Sequence, residues 1–246
     1  MELILDLFTS YDPDSANFRP TEIYNESWLI KIVLSLASSI PPDDYLLSFL
    51  PGSDWYSEAL LPTVFKARFK GDPLAESRTN ADGVIGHFSI GKKAKVDFDL
   101  LENAKQFSVV EAKIGSPLAK GTTRAPYFDQ AARNVACMAE SMAQADIAPE
   151  AFDRLDFIVL APERSIKKCT FKDEMTKDSI QIKTEQRATA YQGEKQAWYQ
   201  DRFLPTMDRI QLHTLSWEQT IDWLSEYKPE VRDQLLDFYS KCLEYN

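Results

Sequence analysis

The sequence is poor in cysteine, histidine and long apolar runs. Its 246 residues include three cysteines and two histidines. Cys137, Cys169 and Cys242 are far apart and form no Cys-x-x-Cys spacing, which excludes a disulfide scaffold and a zinc ribbon. With two histidines and no His-rich cluster, a catalytic centre built on histidine is disfavoured. A reducing compartment is the expectation, and Cys137 is expected to be a small core residue.

Membrane and targeting signals are also missing. No run approaches the roughly 20 apolar residues that a bilayer-spanning helix needs. The first ten residues, MELILDLFTS, lack the basic start and the long apolar stretch of a secretory signal. The sequence therefore predicts a cytoplasmic protein with no membrane partner.

Positive charge is in short supply, since 28 Lys and Arg stand against 38 Asp and Glu, for a net charge of −10. Such a chain is not a general nucleic-acid coat protein. An enzyme acting on nucleic acid would have to confine its basic residues to a local site. We find no repeat or linker, so we expect a single domain over residues 1–246.

Apolar periodicity predicts an α/β protein with helices and short strands in alternation. The predicted helices are residues 21–39, 43–50, 54–69, 126–143 and 229–245, with a capping box at Ser216 opening one more. The predicted strands are residues 81–88, 95–100, 107–114, 155–161 and 210–215. Short connections between the first three strands favour an antiparallel meander in one sheet.

The most informative stretch is FSVVEAKIGS, residues 107–116. Side chains two residues apart on a strand point to the same face, so Glu111 and Lys113 emerge side by side at the end of an apolar strand. Buried charges are costly unless they are paired or bound to a metal. A carboxylate there can hold a divalent cation, and the ammonium can hold a phosphate or a water. The same spacing at Glu226 and Lys228 follows a helical pattern, and we discount it.

The helix that follows carries a second stripe of polar or small residues beside its apolar stripe. This stripe contains Gln130, Arg133, Asn134, Cys137 and Ser141. The loop before the helix, residues 115–126, adds Lys120 and Arg124.

The order helix, three strands, helix, strand, with EAKIGSPLAKG followed by FDQAARNVACMAE, resembles the PD-(D/E)XK nuclease superfamily, and within it a family of uncharacterised bacterial and phage proteins. The resemblance covers residues 21–161. It implies a restriction-endonuclease-like αβββαβ core, a mixed sheet flanked by helices, with an extra strand and helices after it. The implied activity is metal-dependent hydrolysis of phosphodiester bonds.

The family motif is an acid followed by Glu111 and Lys113. Asp82 is our choice for the first acid because it directly precedes a Val-Ile strand, while Asp97 and Asp99 stay open as alternatives. The family often adds a glutamine on the next helix, matched by Gln130. Whether an acid on the first helix, Glu26, joins the site is open, since an acid at a helix start is also favoured by the helix dipole.

The resemblance implies that Asp82, Glu111 and the Ala112 carbonyl bind Mg²⁺ or Mn²⁺. Lys113 would orient or deprotonate the attacking water, and Gln130 would hold a phosphate or that water. DNA is expected more than RNA, and a homodimer is possible. The alternative is a catalytically inactive nuclease fold that binds or assembles. The residues expected to contact the nucleic-acid backbone are Lys120, Arg124 and Arg133.

Overall fold

The computed structural model describes residues 19–76, 79–91, 98–122 and 125–246. Arg124 and Asp97 therefore lie outside the described residues. Within them the strands are β1 Asp54–Leu61, β2 Thr79–Gly86, β3 Phe88–Ile90, β4 Phe98–Leu100, β5 Gln106–Ala112, β6 Arg154–Ala161 and β7 Gln211–Ser216. The α-helices are α1 Pro20–Ile23, α2 Glu26–Ala37, α3 Gln130–Gln144, α4 Glu163–Lys167, α5 Lys177–Thr189, α6 Gln196–Trp198, α7 Leu204–Arg209, α8 Trp217–Tyr227 and α9 Arg232–Tyr245.

The main sheet has five strands in the order β1-β2-β5-β6-β7. The pairs β1–β2 and β2–β5 are antiparallel, and the pairs β5–β6 and β6–β7 are parallel, so β5 lies at the centre of a mixed sheet. We call one end of this sheet the Glu111 end. At that end β1, β5, β6 and β7 finish and β2 begins. Loops that connect these strands therefore gather around the residues that follow β5.

Both faces of the sheet are covered by helices, as expected for central strands that are apolar throughout. Phe107 and Val109 of β5 pack in the core that contains α3 and α5. Val110 and Ala112 pack in the other core, with α2, α8 and α9. The predicted α/β class, with a mixed sheet flanked by helices, is confirmed, and so is the placement of Val109 and Val110 on opposite faces. No helix in the described ranges is both long and apolar enough to cross a bilayer.

Three sequence predictions about elements are wrong. Residues 54–69 were predicted as helical, yet 54–61 form β1, because this segment pairs along its length with β2. Residues 43–50 contain turns instead of a helix, and backbone carbonyls of this stretch accept hydrogen bonds from Arg154. In residues 95–100, the described part is β4, which pairs with β3 in a separate two-stranded sheet. The antiparallel meander therefore consists of β1, β2 and β5.

Two helix starts place residues that matter for the site. The predicted helix over residues 21–39 is interrupted at Asn25, whose side chain accepts a hydrogen bond from the Trp28 N–H and begins α2 at Glu26. Asp129 likewise caps α3 by accepting from the Ala132 N–H at 3.1 Å, so this helix begins only at Gln130. The capping box predicted at Ser216 is confirmed.

Candidate functional site

Glu111 is the next-to-last residue of the central strand β5, and its side chain is completely buried. Its Oε1 accepts a hydrogen bond from Lys113 Nζ at 2.7 Å and another from Gln130 Nε2. Its Oε2 accepts from Asn134 Nδ2 at 3.2 Å. Lys113 is itself almost fully buried. Three protein donors therefore converge on one carboxylate at the Glu111 end of the sheet.

Asp82 is the second acid of this site. Gly83 of β2 pairs with Val110 of β5, and the two strands are antiparallel. One residue back on β2 and one residue forward on β5, Asp82 therefore lies opposite Glu111. Asp82 Oδ2 accepts a hydrogen bond from the Ala112 N–H at 2.8 Å, and Asp82 lies close enough to Glu111 for its charge to raise the pKa of Glu111. Asp99 lies exposed on β4, outside the main sheet. Between these two described candidates, Asp82 is the one that contacts Glu111.

Burial perturbs the titration of the acids at this site. Loss of solvent raises the pKa of Glu111 from 4.5 to about 8, with the Asp82 charge adding to the shift and Lys113 opposing it. Burial also raises the pKa of Asp82. The pKa of Glu26 is raised first by burial and further by Asp82, while Lys113 lowers it. The cluster thus contains more acid than its lysine neutralises, and Glu26 is electrostatically part of it.

Glu58 is a neighbour of the site that the sequence did not indicate. The β1–β2 register puts it opposite Asp82, and the Glu58 charge contributes to the raised pKa of Asp82. Its backbone has φ 57°, in the left-handed region that a non-glycine residue rarely adopts. Ser27 donates to Glu58 Oε1 at 2.9 Å, and Lys31 Nζ donates to the Ser27 hydroxyl at 2.8 Å. Because this stretch was predicted as helix, no signal placed Glu58 beside Asp82.

The polar stripe of α3 faces Glu111 at its first turn. Gln130 is fixed from both sides, because its Oε1 accepts from the Ala119 N–H at 2.9 Å while its Nε2 donates to Glu111. Asn134, one turn later, was noted in the stripe but not as a site residue. Its amide is fully buried, and its Oδ1 has no hydrogen-bond partner among the described residues.

The predicted basic contacts do not all reach this cluster. Lys120 is exposed on the loop beside Ala119, close in the chain to the Gln130 contact. Arg133 lies on another side of α3, where its charge lowers the pKa values of Glu76 and Cys137. Arg124 is outside the described residues.

The predicted metal ligands supply two carboxylates and a backbone carbonyl, from Asp82, Glu111 and Ala112. In the described part of the chain, no group of three or more His, Cys, Asp or Glu side chains is arranged to hold a metal ion. An all-oxygen set nevertheless suits Mg²⁺ or Mn²⁺, which retain several waters and need few protein ligands. The uncompensated acid and the orphaned carbonyl oxygen of Asn134 also favour a cation, so these residues fit one.

Comparison with known proteins identifies no relative. No protein-family model, curated protein or solved structure matches this chain. A function has to be inferred from the geometry of the Glu111 site.

Proposed function

We propose that this protein is a metal-dependent nuclease with a restriction-endonuclease-like core, which hydrolyses phosphodiester bonds of nucleic acid, DNA in preference to RNA. The observation that carries the proposal is the contact between Glu111 and Lys113 at the end of the central strand, with Asp82 directly opposite on β2. The order α2, antiparallel β1, β2 and β5, α3 and parallel β6 supports the core assignment.

The chain's own residues have separate tasks in this proposal. Asp82, Glu111 and the Ala112 carbonyl would hold Mg²⁺ or Mn²⁺, which when bound activates a water and neutralises charge on the phosphate. Lys113 keeps its ammonium beside Glu111 and can donate hydrogen bonds to the attacking water or to a phosphate oxygen. Gln130 is held rigid by Ala119, so its amide can position the same water or phosphate.

Positive charge for the nucleic-acid backbone is assigned to the loop before α3. Lys120 is exposed there, and Arg124 follows in the same loop. Arg133, whose charge lowers the pKa of Glu76, is the weakest of the three sequence-predicted contacts. Phosphate contacts of this kind position a substrate without reading its sequence.

One observation favours a second candidate, a catalytically inactive module that binds or assembles. Both oxygens of Glu111 already accept hydrogen bonds, from Lys113, Gln130 and Asn134. Oε1 already accepts two of these bonds, so a cation has only the second lone pair of Oε2 unless a donor moves away. An inactive module would keep all of them and show no metal dependence.

The test is cleavage of single- and double-stranded DNA and RNA with Mg²⁺ or Mn²⁺, and again with excess chelator. We expect cleavage that the chelator abolishes, and a rate about 10²–10⁴-fold lower in Glu111→Ala. The control is Glu226→Ala, because Glu226 has the same Glu-x-Lys spacing on the exposed last turn of α8 and should leave the rate unchanged. Binding without cleavage over the whole panel would favour the inactive module, and chelator-insensitive cleavage would contradict the metal site.

A further inference from the structure

An exposed basic turn follows β1. It consists of residues 66–70, with the sequence KARFK, and all five residues are exposed. Three of the five are basic in a chain of net charge −10. Within the described residues Arg68 pairs with Asp72 and Glu194, whereas Lys66 and Lys70 take part in no ion pair. We call residues 66–70 the basic turn.

The basic turn presents an aromatic ring in a fixed position. Phe69 is 58% exposed. Arg68 is anchored by two hydrogen bonds to Asp72, at 2.8 and 3.0 Å. Its guanidinium lies 4.8 Å from the ring centroid of Tyr191 and 5.7 Å from that of Phe69. The Phe69 ring is therefore supported by an immobilised arginine while most of its surface faces solvent.

Packing connects the basic turn to the Glu111 site. The turn lies in the connection from β1 to β2, at the Glu111 end of the sheet. Phe65, directly before it, is buried and meets Phe128 edge-on with ring centroids 5.5 Å apart. Phe128 comes two residues before Gln130, whose amide contacts Glu111. The loop with Phe69 is thus anchored on the segment that delivers Gln130.

We propose that the basic turn binds single-stranded nucleic acid, with Phe69 stacking on an unpaired base and Lys66 and Lys70 contacting the flanking phosphates. This inference rests on the proposed nuclease function and names the form of its substrate. Aromatic stacking requires a base whose face is free, which a continuous duplex does not offer. The lysines supply the sequence-independent attraction to the backbone.

Binding is measured in chelator, where the proposed cleavage cannot interfere, as the fluorescence anisotropy of labelled DNA and RNA strands of about 20 nucleotides and of the matching duplexes. Phe69→Ala should weaken single-strand binding by about 5- to 100-fold. The matched control is Ile182→Ala, which removes another exposed apolar side chain, on α5, and should leave the affinity unchanged.

The lysines are tested through salt dependence. The double variant K66Q/K70Q should reduce the slope of log affinity against log salt by roughly 1.4, the loss expected for two phosphate contacts on a single strand. The control variant K105Q/K228Q removes the same charge before β5 and after α8, at the opposite end of the sheet, and should keep the slope. Comparing DNA with RNA strands shows which sugar the turn accepts.

The results separate this inference from the nuclease proposal. Unchanged single-strand affinity in Phe69→Ala and K66Q/K70Q would overturn the inference even if the protein cleaves nucleic acid. An equal effect of Phe69→Ala on duplex binding would also overturn it, because stacking would then not be involved. Single-strand binding that depends on Phe69 in a protein that never cleaves would support the inference and defeat the nuclease proposal.

Discussion

Two clusters of buried charge contact the segment that begins α3, one through Gln130 and the other through Phe128, and they differ in their charge balance. In the acid cluster, Asp82, Glu111 and Lys113, the nearest charge to Glu111 besides its lysine is another carboxylate, which raises its pKa further. In the arginine cluster, Glu76 and Arg187 with Arg133 nearby, burial also raises the pKa of Glu76, but both arginines lower it. The acid cluster has fewer positive than negative side chains, whereas in the arginine cluster Glu76 is compensated by two arginines.

This difference separates a structural ion pair from a candidate ligand site. The buried guanidinium of Arg187 lies 3.2 Å from Glu76 and packs against the rings of Phe65 and Tyr191. The two charges of this pair offset each other, although Glu76 Oε1 and the Nε and Nη1 atoms of Arg187 are buried without a hydrogen-bond partner among the described residues. The acid cluster has two carboxylates, Asp82 and Glu111, against one lysine, so a bound cation would relieve it. Perturbed acids grouped at the end of a strand are typical of functional sites.

Removing the positively charged side chain of the acid cluster, Lys113, should affect catalysis most. Lys113→Met keeps the length of the apolar stem but deletes the ammonium beside Glu111, and we expect the cleavage rate to fall by about 10²–10⁴-fold. Single-turnover kinetics at saturating Mg²⁺ would measure this. Lys228→Met, a lysine after α8, is the control and should retain the rate. Full activity in Lys113→Met would mean that the reaction does not use this lysine.

Removing the positively charged side chain that pairs with Glu76 in the arginine cluster, Arg187, should instead affect stability. Arg187→Met leaves Glu76 buried without its closest partner, and we expect the free energy of unfolding to drop by about 3–5 kcal/mol. Chemical denaturation provides the measurement. The control, Arg202→Met, breaks a surface pair with Asp146 at 3.3 Å and should change stability by about 1 kcal/mol or less. A stable Arg187→Met protein would show that its aromatic packing suffices.

The sequence predicted the centre of the site because the relevant signal is local. Glu111 and Lys113 share a strand face by the two-residue period alone, and Gln130 and Asn134 share a helix face by the four-residue spacing. Asp82 was chosen from its local context and contacts Glu111 through the β2–β5 register. For these residues, the periodicity of the sequence and the pairing of the strands place the side chains in the same cluster.

The strand β1, the position of Glu58 and the pairing of β4 could not be predicted, since each depends on partners distant in the chain. β1 forms because it pairs with β2, and its mixed composition, DWYSEALL, does not distinguish a strand from a helix. With β1 assigned as helix, Glu58 had no reason to approach Asp82. The pairing of β4 with β3, away from the main sheet, is likewise set by tertiary contacts.

The smallest expected effect is the contribution of Glu111 to the pH dependence of the free energy of unfolding, measured in the presence of chelator. The folded protein holds the Glu111 proton up to a pKa of about 8, whereas the unfolded chain releases it near 4.5. The wild type should therefore lose stability relative to Glu111→Gln as pH rises through this window, with the full penalty above about pH 8. The amide cannot ionise, so between pH 5 and 8 the stability difference should shift in favour of Glu111→Gln by about a few kcal/mol at most, on the order expected for such a pKa shift. Denaturation curves of both proteins at about pH 5, 6.5 and 8 would measure the difference in their free energies of unfolding across this range. The comparison of the two clusters fails if the difference stays constant with pH or if it shifts in favour of the wild type as pH rises.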